Sequence, residues 1–313
     1  MSFSNLLRPY MDVCDFNVGT LFAHDPFAFM LYDACKQMEI DFPIKYVFGG
    51  IPCLFQGGRA APNNYTHAQI EDFIKRYKEM GVGCRLTFSN SDLTEDDLDD
   101  KESNYLLMLL NRGANNGVIV SSDALASYVK EKYPKLEVIS SLVKPTVENT
   151  LGQETPDYYN ALLERYDIVV MNSTKAWDDD YLAQISDPGR IEFIANHRCR
   201  PNCPRSAEHY VTQTRSAYAA TTGNRIAQRQ LEHKLTEINN WCLATRKKRV
   251  AEGNLISARR IEELAEKGFV HYKLKGETTQ CRCLSVTLAT GFLSLKAATS
   301  LWFKGCSLNL SRV

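Results

Sequence analysis

Two cysteines and two histidines fall within RIEFIANHRCRPNCPRSAEHY, residues 190–210, at the exit of an apolar run. Ile191, Phe193 and Ala195 alternate with their neighbours as a strand does, and Pro201 and Pro204 then exclude a regular ladder from the loop carrying Cys199 and Cys203. Cys-x3-Cys spacing can turn both sulfurs toward one point, and His197 and His209 lie near enough to join them. That is the donor chemistry of a soft metal or an iron–sulfur cluster. The same residues also suit zinc, a cysteine nucleophile (Cys53 or Cys199) with His197 as base, or simply two reduced thiols in a proline-stiffened loop.

For distant side chains to meet these thiols, the chain must build a frame. Short β-runs occupy residues 16–22, 44–48, 84–88, 117–120, 136–140, 168–171 and 191–195. The first six are followed by apolar-periodic helices over 27–38, 66–80, 103–112, 124–133, 156–166 and 178–185. Thr66 with Gln69 three residues on is a capping box, Gly113 closes the third helix and Pro134 stops the fourth. An eighth run, 270–274, arrives only after an excursion over 206–267 in which Leu231, Leu235 and Ile238 stand at helical spacing. Eight such beats predict an α/β chain folded as one (β/α)8 TIM-type barrel over 1–313, with the helical excursion between strands 7 and 8. Residues 284–303 read as a closing helix. No Gly-x-Gly-x-x-Gly follows the first strand and no Walker-type loop occurs, so dinucleotide and P-loop phosphate readings have no support.

In such a barrel the strand ends converge on one face, and residues just beyond each run become neighbours. Cys53, after the second strand, is expected to face Cys199 and Cys203 across this mouth, with His197 beside them. The fourth ligand stays open among Cys242, Cys281 and Cys283. Arg59 and Lys275 are expected to hold an anionic small molecule, with Asn172 and Asn196 supplying hydrogen bonds, although Asn and Ser at these places are also the usual helix caps. Cys14, Cys35 and Cys84 read as core residues and Cys306 as without a role.

The chain has 313 residues, and its 37 basic and 37 acidic side chains balance. The balance hides an asymmetry. Residues 198–267 hold 14 Lys and Arg against 7 Asp and Glu, densest at Arg246, Lys247, Lys248 and Arg249. That region suits RNA, or else a solvated helix face. Ten scattered cysteines with no N-terminal apolar signal segment point to reduced thiols and a cytoplasmic protein. No uninterrupted apolar run is long enough for a membrane span.

Three patches resemble the collagenase-like peptidase family, peptidase family U32. KYVFGGIPCLFQGGR (45–59) is similar to the family's second-strand segment, tyrosine-leucine-glycine followed by a variable loop and an arginine. In the branch that supports ubiquinone hydroxylation a cluster-ligating cysteine lies in that loop, where Cys53 stands. IEFIANHRCRPNCP (191–204) resembles the strand ending in a glycine-arginine-cysteine turn with a further cysteine downstream, the places of Cys199 and Cys203. HYKLKGE (271–277) resembles the last-strand phrase lysine-isoleucine-glutamate-glycine-arginine, with Lys273 and Gly276 matching and Glu277 in place of the arginine. The resemblance implies a TIM-type barrel and a 4Fe-4S cluster held by four cysteines. It also implies a part in hydroxylating transfer RNA, ribosomal RNA or a quinone ring; older members of the family are called proteases.

Three functions therefore compete. They are an iron–sulfur hydroxylation enzyme, a zinc- or thiol-dependent hydrolase or peptidase on the same scaffold, and a non-catalytic accessory protein that binds a protein partner.

Overall fold

The computed structural model describes residues 13–19, 21–22, 25–37, 39, 41–59, 65–149, 153–197, 199–245 and 254–275. Eight parallel strands close into a barrel. They are β1 (Asp15–Val18), β2 (Ile44–Gly49), β3 (Gly83–Phe88), β4 (Gly117–Val120), β5 (Glu137–Ser140), β6 (Ile168–Met171), β7 (Ile191–Ile194) and, after two short strands numbered β8 and β9, β10 (His271–Leu274). Each pairs with its neighbour in turn, and β10 closes the ring against β1, with Asn17 beside Lys273 and Val18 beside Leu274. The (β/α)8 expectation holds. Most strand bounds match the sequence reading within a residue; β1 stops at Val18, where Gly19 N–H donates to Leu274 O at 2.9 Å.

Around the ring lie α1 (Asp25–Gln37), α2 (His67–Glu79), α3 (Lys101–Asn111), α4 (Asp123–Lys132), α5 (Val143–Glu148), α6 (Pro156–Leu163) and α7 (Asp179–Leu182). Thr66 and Gln69 form the expected capping box at α2. The six-residue α5 is an element that the sequence reading lacks, because Pro145 argues against a helix there. It sits in the first turn, where a missing N–H leaves no intrahelical bond unmade.

Alternation along the strands sorts the apolar residues into two clusters. Leu86, Val118, Val120, Val169, Phe193 and Tyr272 pack outward against helix residues such as Ile70, Leu106, Leu110, Leu125 and Leu162. Phe48, Ile119, Ile139, Ile168, Val170 and Ile194 fill the lumen, with Leu142 above them. The same parity places polar groups inside the ring. Arg85 and Glu192, each 0% exposed, pair at 3.3 Å. Arg85 also reaches Glu137 at 2.5 Å and lies over the Tyr46 ring. Asn17 Nδ2 donates to Glu192 Oε1 at 3.2 Å, and Lys273 Nζ lies 3.9 Å from the centroid of Phe48.

Between β7 and β10 the chain leaves the ring. β8 (Asn196–His197) pairs antiparallel with β9 (Asn254–Leu255), so the ladder resumes for two residues before Pro201. Then α8 (Ser206–Thr221) and α9 (Arg225–Ala244) form a hairpin, and α10 (Ala258–Glu266) returns with Ile261 and Leu264 buried against the barrel. The excursion therefore divides into a hairpin and an ordinary barrel helix. Polar contacts fasten α8 to the mouth. Arg215 Nε meets Asp92 at 2.6 Å, Tyr218 OH donates to Asp97 at 2.9 Å, and Gln213 Nε2 donates to Gly58 O at 2.9 Å. Gly58 has φ +84°, and a Cβ there would lie 2.7 Å from Gln213 O, so both the turn and the close approach of α8 require glycine.

Candidate functional site

The loop after β7, the start of α8 and the end of α9 enclose a small cavity of about 50 Å3, partly open to solvent. Cys199, Cys203, His197, His209 and Asn172 line it, and so does Cys242 from α9. Leu142, Thr146, Ser206, Tyr210 and Trp241 line it as well. Of the sequence candidates, the structure thus gathers Cys199, Cys203, His197, Asn172 and Cys242.

His197 is held by its strand. Asn196 and His197 pair with Leu255 and Asn254, and Ile256 N–H donates to Ala195 O at 2.9 Å. His197 is 7% exposed, yet neither ring nitrogen has a hydrogen-bond partner. A buried imidazole with two unmet polar atoms normally has a ligand or water to satisfy them. Burial, then the Lys275 and Arg59 cations, hold its pKa well below the usual histidine range. The same three causes, with Arg59 before Lys275, lower His209. Both rings are therefore neutral at pH 7, each with one donor and one acceptor.

These shifts fix a pH dependence. A histidine whose folded pKa is depressed binds fewer protons than the unfolded chain once pH drops below about 6.5. Its contribution to stability is present above that value and lost as pH falls. The urea midpoint is expected to fall between pH 7 and pH 5, and more shallowly in His197→Gln than in the parent chain.

Cys203 is pushed up by burial first, then by its neighbours Cys199 and Cys242, while the Arg205 backbone N–H opposes this. Cys203 thus lies near both Cys199 and Cys242. Among the described residues, however, no three Cys, His, Asp or Glu side chains are closed into a ready metal-ligand group. Cys281 and Cys283 lie outside the described residues, as do Gly276, Glu277, the closing helix expected over 284–303 and the 246–249 basic cluster.

Cys53 does not line this cavity. The loop after β2 turns outward: Gln56 Oε1 accepts from Gly58 N–H at 2.6 Å and Arg59 N–H at 3.0 Å, and Asn90 Nδ2 holds Leu54 O at 2.8 Å. Cys53 is left in the layer between barrel and helices. There burial outweighs its hydrogen bond from Ser103 and pushes the thiol up to about 11. Cys14 and Cys84 are pushed up to about 12 and Cys35 to about 11, also chiefly by burial, which fits their expected core duty.

Asn196 serves the backbone instead of facing the cavity. Its Nδ2 donates to Lys275 O at 3.0 Å and its Oδ1 accepts from Lys275 N–H at 2.7 Å, which anchors Lys275 at the end of β10. Arg59 stacks 4.1 Å above the Tyr210 ring and donates through Nε to Gln213 at 3.3 Å. Asn172 caps its own turn through Thr174 N–H and lies 3.5 Å from the buried Glu154. Of the basic excursion, Arg205, Arg215, Lys234, Arg259, Arg260 and Lys267 are ion-paired to carboxylates, which offsets much of its positive charge.

The sequence reading lacked Ser206, Tyr210 and Thr146. Ser206 at the first position of α8 was the available signal, since a serine opening a helix beside Cys203 faces the same loop.

No family model matches the chain, and no curated protein matches it. Among solved structures it is similar to a U32 peptidase, over 67% of this chain and 78% of that one, at 10% identity and a TM-score of 0.46. It is also similar to an HpcH/HpaI aldolase from Desulfitobacterium hafniense, over 89% and 91%, at 15% identity and a TM-score of 0.33. Among the described residues no helix is long and apolar enough to cross a membrane.

Proposed function

We propose that the chain is a barrel enzyme with an iron–sulfur centre at its mouth, acting in the hydroxylation of RNA or a quinone-type small molecule as its resemblance to family U32 implies. One observation carries the metal reading: the Cys199 and Cys203 pair of the β7 loop and Cys242 from α9 line one cavity with two neutral imidazoles. The donor set fits. Thiolates are the ligands of iron–sulfur clusters, and three of them leave one iron for a further ligand or for substrate. Cys199, Cys203 and Cys242 would hold the cluster, with His197, His209 or a cysteine beyond residue 275 as the remaining donor. The bound cluster would supply electron transfer or an open iron site. The chain's own part is to bury the centre, to hold the imidazoles neutral, and to place Arg59 and Lys275 where an anionic small molecule can meet them.

Purification without oxygen, followed by iron and sulfide analysis and an absorption spectrum, tests this. A brown protein with about four iron and four sulfide per chain is expected. A colourless, iron-free protein from the same preparation would defeat the reading. The neutral imidazoles favour zinc as the second reading, since three thiolates and one imidazole make a tetrahedral site. Stoichiometric zinc without sulfide, together with hydrolysis of a peptide or amide, would select it.

A further inference from the structure

The three cavity thiols differ from the other described cysteines in exposure. Cys14, Cys35, Cys53 and Cys84 are buried, whereas Cys199, Cys203 and Cys242 are partly exposed, and none of the seven is in a disulfide. A small reagent in solution can therefore reach the cavity sulfurs and not those of the core.

The hairpin brings two of them toward each other. α8 and α9 run antiparallel, so each step back toward the start of α8 meets a point further along α9. Glu208 meets Lys234 at 3.2 Å. Arg205 then reaches Glu237 at 3.1 Å and lies 5.8 Å from the centroid of the Trp241 ring. The same progression carries Cys203, two residues before Arg205, toward Cys242, one beyond Trp241, and both line the one cavity. The Cys203 backbone is set by the turn into α8, where Ser206 N–H donates to Cys203 O at 3.1 Å. Cys199 lies upstream of that turn, beyond Pro201 and the left-handed Asn202 (φ +47°).

We infer that Cys203 and Cys242 form an oxidation site, closed to a disulfide by a small disulfide such as glutathione disulfide. One of the two sulfurs attacks a glutathione sulfur and releases one glutathione thiol, leaving a mixed disulfide; the other then displaces the bound glutathione as a second thiol. The protein loses two hydrogens, and glutathione disulfide gains them as two glutathione thiols. The link ties the end of α9 to the β7 loop and so fixes the hairpin over the mouth. It also takes two of the three cavity thiols, so oxidation and metal binding exclude one another. The pair belongs to the proposed centre, but its oxidation does not depend on which metal, if any, the thiols hold.

Treating the full chain with a chelator under reducing conditions, removing both reagents and adding glutathione disulfide tests it, with cross-links read by peptide mass mapping. A peptide pair joined through Cys203 and Cys242 is expected, reversed by dithiothreitol, while Cys14, Cys35, Cys53 and Cys84 stay thiols. In Cys242→Ser, Cys203 is expected to retain one bound glutathione, since the resolving thiol is gone. Trypsin cleavage within the hairpin should slow severalfold on oxidation of the parent chain and stay unchanged in Cys242→Ser. Circular dichroism melts establish that the reduced variant is folded.

A Cys199–Cys203 link in the parent chain, or either thiol of the pair joined to a cysteine beyond residue 275, would overturn the pairing. Glutathione adducts without any cross-link would overturn the disulfide, because the two sulfurs then cannot meet. No reaction at either thiol would overturn the site. Cross-linking that leaves trypsin cleavage unchanged would overturn the fixing of the hairpin. Iron and zinc content before chelation reports separately on the metal proposal, so a metal-free chain that still closes this disulfide would defeat that reading and leave this one standing.

Discussion

Glu192→Ala is expected to lower the unfolding free energy by about 3–5 kcal/mol, the range for breaking a buried ion pair by removing one partner. The change strands a guanidinium in the barrel lumen. Arg85 is fully buried and, besides the Tyr46 ring, would keep one carboxylate, Glu137, whose side chain is 29% exposed. Asn17 would lose its acceptor too. The network is already incomplete, since Arg85 Nε and Glu192 Oε2 have no partner, so little is available to compensate. The double variant Arg85→Met/Glu192→Leu is expected to recover most of the loss, because apolar residues of similar volume remove both charges together. Urea denaturation of the two variants beside Lys130→Ala, expected to cost under about 1 kcal/mol as an exposed pair, makes the comparison. A Glu192→Ala midpoint indistinguishable from that of Lys130→Ala would mean the lumen admits water freely.

That network also marks a limit of the sequence. Strand positions were legible because buried parallel strands are runs such as GVIV and IVVM, bounded by turn residues. Arg85 and Glu192 sit in equally buried runs, GCRLTF and IEFI. Nothing local distinguishes a charge that faces solvent from one that meets an opposite charge 107 residues away across the lumen. The hairpin tells the same story at larger scale. Helical spacing of Leu231, Leu235 and Ile238 identified α9, whereas the latches to Asp92 and Asp97 that settle α8 over the mouth depend on the closed ring.

The site was legible wherever the strand exit itself carries the residue. His197, Cys199 and Cys203 follow β7 directly and arrive at the mouth together. Cys53 stands four residues beyond β2, far enough for the turn through Gln56 and Asn90 to carry it outward, and strand order alone cannot foresee that turn. Asn196 shows a second limit. Its position at the exit is right for a ligand contact, but a backbone N–H and a backbone carbonyl, both from Lys275, occupy its amide.

The placement of Cys53 separates the ligand set suggested by resemblance from the one suggested by geometry, and iron content discriminates them. After anaerobic reconstitution, Cys203→Ser and Cys242→Ser are each expected to retain at least about tenfold less iron than the parent chain. Losing an outer-shell partner alone typically costs 10–100-fold in affinity, and a direct ligand should cost no less. Cys53→Ser is expected to keep its iron. A thiol pushed up to about 11 must give up both a proton and its buried seat before it can ligate, and its hydrogen bond with Ser103 adds to that cost. Cys242 makes the sharper probe. It lies on α9, so its thiolate would bind the end of the hairpin to the β7 loop, and chelation should then expose the hairpin to protease in the parent chain but not further in Cys242→Ser. Equal iron loss in Cys53→Ser would restore the ligand set that the resemblance implies and require the 50–58 loop to turn inward. Full iron in both Cys203→Ser and Cys242→Ser would leave this cavity with its imidazoles and cations alone, a binding site with no inorganic centre.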